Sequence, residues 1–221
     1  MDMLFHTKYK EHPVMRYRYI ILFVVILGKL FIPVILNSNL GNRYIDPLFD
    51  VLLFWASMLI VQKLRRAVMA IGVLGAVGLL FNFMGRSTDK FGLCLFSIFI
   101  AIVTYELFRD LVGKKSIQIN EIVGAMDGYI LVGYIGSLMF LLIHLIYPNA
   151  FSNVSPGRAG MSDLIYFSFV TMLTIGYGDI VPQVPAARSL VIMIGLVGQF
   201  YLVIVIATFV GKFLMNSSKR G

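Results

Sequence analysis

The chain has 221 residues, of which 59% are hydrophobic and 14% are charged. Soluble domains of this size are nearer half apolar and a quarter charged, so this surface is largely apolar and suits a lipid bilayer. The net charge of +8 does not indicate nucleic-acid binding, because Lys and Arg cluster in short segments between hydrophobic runs. The single cysteine, Cys94, excludes an intrachain disulfide and a cysteine-based metal site.

Six apolar runs predict helices that cross the ~30 Å hydrocarbon core of a bilayer, which takes about 20 residues. The second run is a little short, and we expect its helix to start inside the preceding loop. The connections between them are short and polar, which leaves no room for a separate soluble domain. We therefore predict an all-α membrane protein with six transmembrane helices. The predicted spans are, in chain order, 18–36, 47–62, 66–84, 91–108, about 121–147 and about 186–215.

The distribution of Lys and Arg predicts the orientation of these spans. With the N-terminus in the cytoplasm, the inside segments hold thirteen of these residues and the outside segments hold five, as the positive-inside rule requires. The basic residues before the first run resemble a signal peptide, but the run is as long as a full span and no small-residue cleavage site follows it. We expect a multi-pass protein of the cell membrane with both termini in the cytoplasm and the last inter-helix loop outside.

A short apolar segment lies in that outer loop. Residues 162–174 predict a helix too short to cross the membrane, with Ser162 as its N-cap and Asp163 in its first turn. Entering from outside, it would end near mid-membrane, where the negative end of its dipole stabilises a cation. The predicted fold therefore includes a re-entrant helix between helices five and six, and the residues after it, Thr174-Ile175-Gly176-Tyr177-Gly178-Asp179, make it a pore helix followed by a filter.

Residues 174–179, which follow this helix, have the composition of a potassium selectivity filter, with Ile175 where the known pattern has Val. Four copies of such a strand supply stacked rings of carbonyls that replace the hydration water of K⁺. All carbonyls point inward only if the backbone alternates between ordinary and left-handed dihedrals, which Gly176 and Gly178 tolerate. The residues of this candidate filter are Thr174, Ile175, Gly176, Tyr177, Gly178 and Asp179.

Within this filter, the K⁺ sites would be the main-chain oxygens of Thr174, Ile175, Gly176 and Tyr177, together with the Thr174 hydroxyl. The side chains of Ile175 and Tyr177 would point away from the pore and pack on the short helix. A glycine-rich external turn is the alternative, but a plain turn needs neither the preceding helix nor Thr171 and Thr174.

On these residues, the sequence resembles the pore module of tetrameric potassium channels, and most closely the small six-helix bacterial ion channel proteins. The filter matches residue for residue, whereas the first four helices are covered only loosely. The resemblance implies a homotetramer around one central pore, and a ring of carbonyls asks for the same four strands. The other stretches that carry the resemblance are 122–125, 129–133, 166–171 and 198–201.

The fourth span, 91–108, contains no Lys or Arg, whereas voltage-gated relatives carry one at every third position there. We therefore expect no steep voltage gating, and sensing of a cytoplasmic ligand would need a separate chain. The predicted parts are a cytoplasmic N-terminus at 1–17, a four-helix membrane domain without an Arg-rich sensor at 18–108, a cytoplasmic linker at 109–120, the potassium-channel pore domain at 121–215 and a cytoplasmic tail at 216–221.

Two positions depart from many relatives, in which two Trp residues before the filter donate hydrogen bonds behind it. Here these positions are Tyr166 and Phe167. The Tyr166 hydroxyl can bond Asp179, but Phe167 has no donor, so we expect a filter that is less firmly braced and prone to inactivation. Tyr166, Phe167 and Thr171 are the predicted pore-helix support.

Gly198 lies twenty residues after Gly178, where the resemblance places a gating hinge in the inner helix. Gly195 is a second candidate for this hinge. Close helix packing is the alternative, because glycine also serves it in membranes, and the sequence leaves the two open.

Three isolated titratable residues lie in the predicted spans. Lys29 either pairs with Asp50 or Glu106, or extends toward the interface. Asp127 faces the interface or a neighbouring helix, with pore control as another interpretation. His144 is either a pH sensor or an interfacial packing residue.

Together these observations predict a channel subunit that conducts K⁺ passively, with potassium ions in the filter, no other cofactor and no nucleic-acid partner. A subunit of a potassium transport system usually has four nonidentical filter loops with single glycines, whereas this chain has one loop with Gly-Tyr-Gly. A nonconducting membrane protein, suggested by Arg188 near the pore mouth, would leave the intact filter unexplained. An enzyme is not expected, because the spans contain no acid-base pair or nucleophile set.

Overall fold

The computed structural model describes residues 17–36, 45–61, 72–73, 90–114, 117–156 and 159–218. Helices dominate this part of the chain, and its β structure is one isolated antiparallel bridge between Phe151 and Pro182. A π-helical turn, Tyr201–Ile206, joins the last two helices without a break. The α-helices are α1 (Arg18–Leu36), α2 (Asp46–Ile60), α3 (Lys90–Val112), α4 (Ile119–Ile146), α5 (Ala159–Met172), α6 (Pro185–Phe200) and α7 (Ala207–Ser218).

Among the described residues, three helical stretches are long and apolar enough to cross a membrane: Gly92–Val112, Ile119–Ile146 and Pro185–Leu214. They correspond to the fourth, fifth and sixth predicted spans. α1 has the bounds predicted for the first span, and α2 is a shorter apolar helix at the place of the second. The third predicted span, 66–84, lies outside the described residues except at its helical residues 72 and 73. The prediction of an all-α membrane protein is confirmed for the described chain.

The ends of α4 and α6 follow from local chemistry. α4 begins with a capping box, in which the Glu121 carboxylate accepts a hydrogen bond from the main-chain N–H of Gln118 at 3.0 Å. It ends at Ile146, two residues before Pro148, which cannot continue a helix. α6 starts at Pro185, a residue suited to the first turn because its missing N–H would have no helical partner there.

α4 lies at the centre of the described fold and contacts α1, α3, α5 and α6. One apolar core lies between α1, α2, α3, α4 and the π-helical turn, and a second lies between α4, α5 and α6. The second core places α5 and the residues that follow it on a rigid base. Buried members of the first core include Tyr19, Leu22, Phe99, Leu107, Leu131 and Tyr201; those of the second include Phe140, Phe151, Leu164, Phe167 and Ile194.

Several charged residues of α1, α2 and α3 form ion pairs with one another. Lys29 of α1 lies 3.1 Å from the carboxylate of Asp50 on α2, so the pairing interpretation of Lys29 is the one that the structure favours. Glu106, the other acid considered for Lys29, pairs with Arg109 on its own helix at 2.5 Å. Arg18 of α1 pairs with the carboxylate of Asp110 on α3, which also accepts a hydrogen bond from Tyr19.

Asp127 and His144, both on α4, are in none of the ion pairs found among the described residues. Asp127 is fully buried in the subunit, and neither carboxylate oxygen has a hydrogen-bond partner among the described residues. It lies beside Tyr201, which favours the neighbouring-helix interpretation over the interface. The His144 ring is half-buried with its centroid 6.3 Å from that of Phe151, a contact that favours packing.

Candidate functional site: a short helix and the strand that follows it

α5 is fixed against α4 by a buried hydrogen bond and by close packing. The Ser168 hydroxyl donates to the main-chain oxygen of Gly133 at 2.7 Å. A Cβ added at Gly133 would lie 2.6 Å from the ring of Phe169, so glycine is what allows the two helices to approach. α5 has 14 residues, about 21 Å at about 1.5 Å per residue, which is too short for a ~30 Å core.

The start of α5 differs from the prediction. The helix begins at Ala159, so Ser162 lies inside it and is not its N-cap. Gly160 is a weak helix former, but a Cβ there would lie 2.5 Å from the main-chain oxygen of Ser155, so glycine allows the loop to pack against this first turn. Asp163 instead ties the preceding loop to the helix, because its carboxylate accepts a hydrogen bond from the main-chain N–H of Ser155 at 2.7 Å.

The strand after α5 turns back along the helix that it leaves. The main-chain N–H of Thr174 donates to the carbonyl of Thr171 at 3.1 Å, and that of Ile175 donates to the carbonyl of Val170 at 2.9 Å. Thr171 therefore supports the first residue of the candidate filter through its main chain. α5 ends at Met172, earlier than predicted, because the chain leaves helical geometry before Thr174.

Left-handed dihedrals recur at alternate residues of this strand. The φ angles are 58° at Thr174, 59° at Gly176 and 78° at Gly178, whereas Ile175 and Tyr177 lack positive φ values. Both glycines that we expected in this conformation adopt it, and the alternation also includes Thr174. An L-residue in this conformation costs about 1–2 kcal/mol, so strain is stored where the candidate filter begins.

The side chains of Ile175 and Tyr177 are not covered by α5 of the same chain. They are 47% and 71% exposed in the isolated subunit. The expectation that they pack on the short helix is therefore not met within one chain. Large apolar side chains in this state are typical of a surface that contacts another chain.

Asp179, at the outer end of the strand, lies beside two residues of the same chain. Its carboxylate is close to the Tyr166 hydroxyl, and this proximity raises the pKa of the tyrosine. Its main-chain oxygen accepts a hydrogen bond from the side-chain amide of Asn153 at 2.7 Å. Tyr166 and Asp179 are therefore neighbours, as the bond considered from the sequence requires, and Asn153 supports Asp179 from outside α5.

Phe167 is a core residue. It is 7% exposed and lies between Phe140 and Phe151, with ring centroids 5.3 and 5.6 Å away. It supports α5 by aromatic packing, which is consistent with its lack of a donor. Phe151, in the loop before α5, and Phe167 of α5 are thus joined through apolar contact rather than through a polar bond.

α6 and the helical turns that follow it correspond to the inner helix of the resemblance. α6 contacts Met172, the last residue of α5, at Gly198 and Gln199. A Cβ added at Gly198 would lie 3.0 Å from Cγ of Met172, which favours close packing over a hinge at this glycine. The Gln199 amide donates to the main-chain oxygen of Met172 at 3.1 Å, and the Tyr129 hydroxyl donates to the same oxygen at 3.4 Å. At Gly195 the contact is looser, since the nearest atom, on Thr171, would be 3.8 Å from the added Cβ.

Sequence reasoning missed the contacts of Asn153 and Gln199. Gln199 was noted only as part of a resembling stretch, although a polar side chain in an apolar span is itself a signal of function. Asn153 has no such signal, because it lies in a polar loop and contacts a residue 26 positions later.

Comparison with known proteins identifies the segment in which these contacts lie. Residues 129–215 match the family described as "Ion channel". The predicted resemblance to the potassium-channel pore family is confirmed over this segment. The match includes α5, the candidate filter and the inner helix, and it points to a channel protein rather than an enzyme.

Individual relatives match a similar length of chain. The chain is 36% identical over 86 residues to "Two pore potassium channel c" of Oryza sativa subsp. japonica, covering 35% of this chain and 19% of the relative. It is 36% identical over 70 residues to "Small conductance calcium-activated potassium channel-like protein 3" of Caenorhabditis elegans, covering 32% and 10%. It is 33% identical over 75 residues to "Inward rectifier potassium channel Kirbac3.1" of Paramagnetospirillum magnetotacticum, covering 34% and 25%. No solved structure matches the chain.

Proposed function

We propose that the protein is a subunit of a potassium-selective channel that conducts K⁺ passively through the centre of a homotetramer. The observation that carries the proposal is the run of alternating left-handed dihedrals at Thr174, Gly176 and Gly178, directly after a helix too short to span. This alternation turns successive carbonyls to one side of the strand, which is the arrangement that a ring of K⁺ ligands needs. The match of residues 129–215 to the family described as "Ion channel" and the similarity of the chain to relatives named as potassium channels support it.

The mechanism follows from four copies of this strand. The main-chain oxygens of Thr174, Ile175, Gly176 and Tyr177, with the Thr174 hydroxyl, replace the hydration shell of K⁺ in successive rings. The negative end of the α5 dipole stabilises the ion before it enters the filter. Binding at several adjacent sites lets ions leave as readily as they enter, since each incoming ion repels the next.

The exposed apolar surface of the subunit supports assembly. Tyr177 is 71% exposed, and the inner helix presents Leu196, Phe200 and Val203 at its surface. One chain supplies one filter strand, so neighbouring subunits would cover Ile175 and Tyr177 and complete each carbonyl ring. The remaining apolar surface would face the pore or lipid.

The proposed topology has six spans, a re-entrant α5, and both termini in the cytoplasm. Gly72, helical and in close contact with Phe54 of α2 and Phe99 of α3, supports a third span between those helices. α1–α3 carry no ladder of free basic residues at the described positions, and their Arg18, Lys29 and Arg109 form ion pairs. The proposal therefore includes no steep voltage gating.

The test is ion flux through purified protein reconstituted in liposomes. We expect K⁺ to pass down its gradient without an energy source, Na⁺ to be excluded, and Ba²⁺ to block. The mass of the detergent-solubilised particle is measured in parallel and should correspond to four chains. Equal passage of Na⁺ and K⁺, or a monomeric particle, would overturn the proposal, and uptake of K⁺ against its gradient would favour the transport-system alternative.

A further inference from the structure

The loop between α4 and α5 is bonded to the chain just beyond the candidate filter. We call residues 150–153 the outer loop. The main-chain N–H of Ser152 donates to the carbonyl of Val181 at 2.9 Å, and the N–H of Val181 donates to the Ser152 hydroxyl oxygen at 3.0 Å. The N–H of Gln183 donates to the carbonyl of Ala150 at 2.8 Å. The outer loop and the chain that leaves the filter therefore form one hydrogen-bonded unit.

The outer loop is itself anchored in the second apolar core. Phe151 is buried, with its ring centroid 5.4 Å from that of Phe140 on α4 and 5.6 Å from that of Phe167 on α5. Moving the loop would expose this ring and break both aromatic contacts, which stabilise beyond their buried area. The loop is therefore a firm support for the residues that it bonds.

Asn153 extends this support to the filter. Its side-chain amide donates to the main-chain oxygen of Asp179 at 2.7 Å, while Tyr166 of α5 lies beside the carboxylate of the same residue. The backbone of Asn153 has a φ of 55°, a left-handed conformation that asparagine adopts more readily than most residues. That conformation is part of how the amide reaches Asp179.

We infer that Asn153 is a positioning residue for potassium conduction, which keeps the outer end of the filter in its conducting shape by holding the main-chain oxygen of Asp179. The inference rests on the proposed function and deepens it. Carbonyls gathered in rings repel one another when an ion leaves, so the outer end of the filter distorts unless its main chain is held from behind. The loop thus supplies a donor that Phe167 cannot supply from the pore helix.

The filter exit has a further support, so that loss of the Asn153 amide alone should weaken it without unfolding it. The guanidinium of Arg188, in the first turn of α6, donates to the carbonyl of Pro182 at 3.2 Å and to that of Gln183 at 3.5 Å. Arg188 therefore fixes the main chain at Pro182 and Gln183, just beyond Asp179.

The test is Asn153→Gly in the full chain, because glycine keeps the left-handed backbone and removes only the side chain. Asn149→Gly is the matched control, since Asn149 is an exposed asparagine just before the outer loop with a φ of 63°. The measurement is the decay of K⁺ current during sustained opening, at low and high external K⁺. We expect decay roughly fivefold faster in Asn153→Gly, the effect of one net hydrogen bond, and unchanged in Asn149→Gly. High external K⁺ should reduce the difference, because bound ions stabilise the conducting filter.

A second variant keeps the side-chain volume. Asn153→Asp cannot donate, and its carboxylate repels the carbonyl of Asp179, so its decay should be faster than that of Asn153→Gly. Melting of purified protein in K⁺ and in Na⁺ gives a readout independent of current. The extra stability conferred by K⁺ should fall in both Asn153 variants and persist in Asn149→Gly.

The outcomes separate the two claims. Normal decay and normal K⁺ stabilisation in both Asn153 variants, with K⁺ conducted by the unmodified protein, would overturn the role of Asn153 and leave the proposed function intact. Destabilisation by the same amount in K⁺ and in Na⁺ would also overturn it, because Asn153 would then serve only the loop. An unmodified protein that passes no K⁺ would overturn the proposed function and this role with it.

Discussion

The first three helices and the pore segment use polar groups in different ways. In α1–α3, charged side chains pair with charged side chains: Lys29 with Asp50, and Arg18 with Asp110. In residues 150–200, which we call the pore segment, uncharged polar side chains bond the main chain of another element, as Gln199 does at Met172 and Asn153 does at Asp179.

The difference indicates which geometry the polar contacts fix in each region. Paired charges in an apolar surrounding fix the register of two helices, because separating them leaves a charge unsolvated. In the candidate filter the main-chain oxygens are the proposed ligands of K⁺, so the surrounding side chains would act as donors that fix the backbone. Loss of a paired charge in the first region should therefore change stability without changing ion selection, and a substitution in the candidate filter strand should change ion selection.

The largest expected effect is in the filter. Gly178→Ala places an L-residue at a φ of 78°, at about 1–2 kcal/mol for each of four subunits in one ring, and should abolish K⁺-selective flux into liposomes. Gly211→Ala is the control, because a Cβ there meets no atom within 4 Å and alanine favours the helix. Selective flux retained by Gly178→Ala would contradict the assignment of this strand as the filter.

The next effect tests the ion pairs. Lys29→Met leaves the Asp50 carboxylate buried without its cation, and breaking a buried pair costs about 3–5 kcal/mol. We expect a lower melting temperature with unchanged preference for K⁺ over Na⁺. The double variant Lys29→Met/Asp50→Leu should regain most of the stability. A change of ion selectivity in the single variant would remove the distinction between the two regions.

A smaller effect decides between packing and a hinge at Gly198. Gly198→Ala brings a methyl group to 3.0 Å from Cγ of Met172, and overpacking of this kind costs about 1–3 kcal/mol. Gly195→Ala, with 3.8 Å to its nearest atom, should melt like the unmodified protein. In a Met172→Ala background, Gly198→Ala should cost less stability than it does alone if the glycine serves packing. An equal cost in both backgrounds, with channel opening impaired, would favour the hinge.

The smallest effect concerns Gln199. Gln199→Leu removes the donor to Met172 and should lower the free energy of unfolding by about 1 kcal/mol, because Tyr129 still bonds the same oxygen. A cycle with Tyr129→Phe measures whether the two donors act together. The geometry indicates that both donors share the Met172 oxygen. If the losses in the free energy of unfolding are strictly additive, the two donors act independently and this indication is wrong.

Much of the helical framework was predictable. α1 has the predicted bounds, and α3 and α4 differ from their predictions by a few residues, because long apolar runs between polar connections determine such helices locally. The start of α5 was predicted less well, since Ser162 is a common cap residue that the longer helix simply contains. The two left-handed glycines of the strand were also foreseen, because few other residues tolerate that backbone.

The sequence by itself determined the apolar helices, the short pore helix and the filter pattern, because each depends on residue types close together in the chain. Only the tertiary structure decided that Lys29 pairs with Asp50, that Phe167 is buried, and that Asn153 bonds Asp179. Such contacts join residues far apart in sequence, and their geometry depends on how the helices pack. No local pattern contains that information.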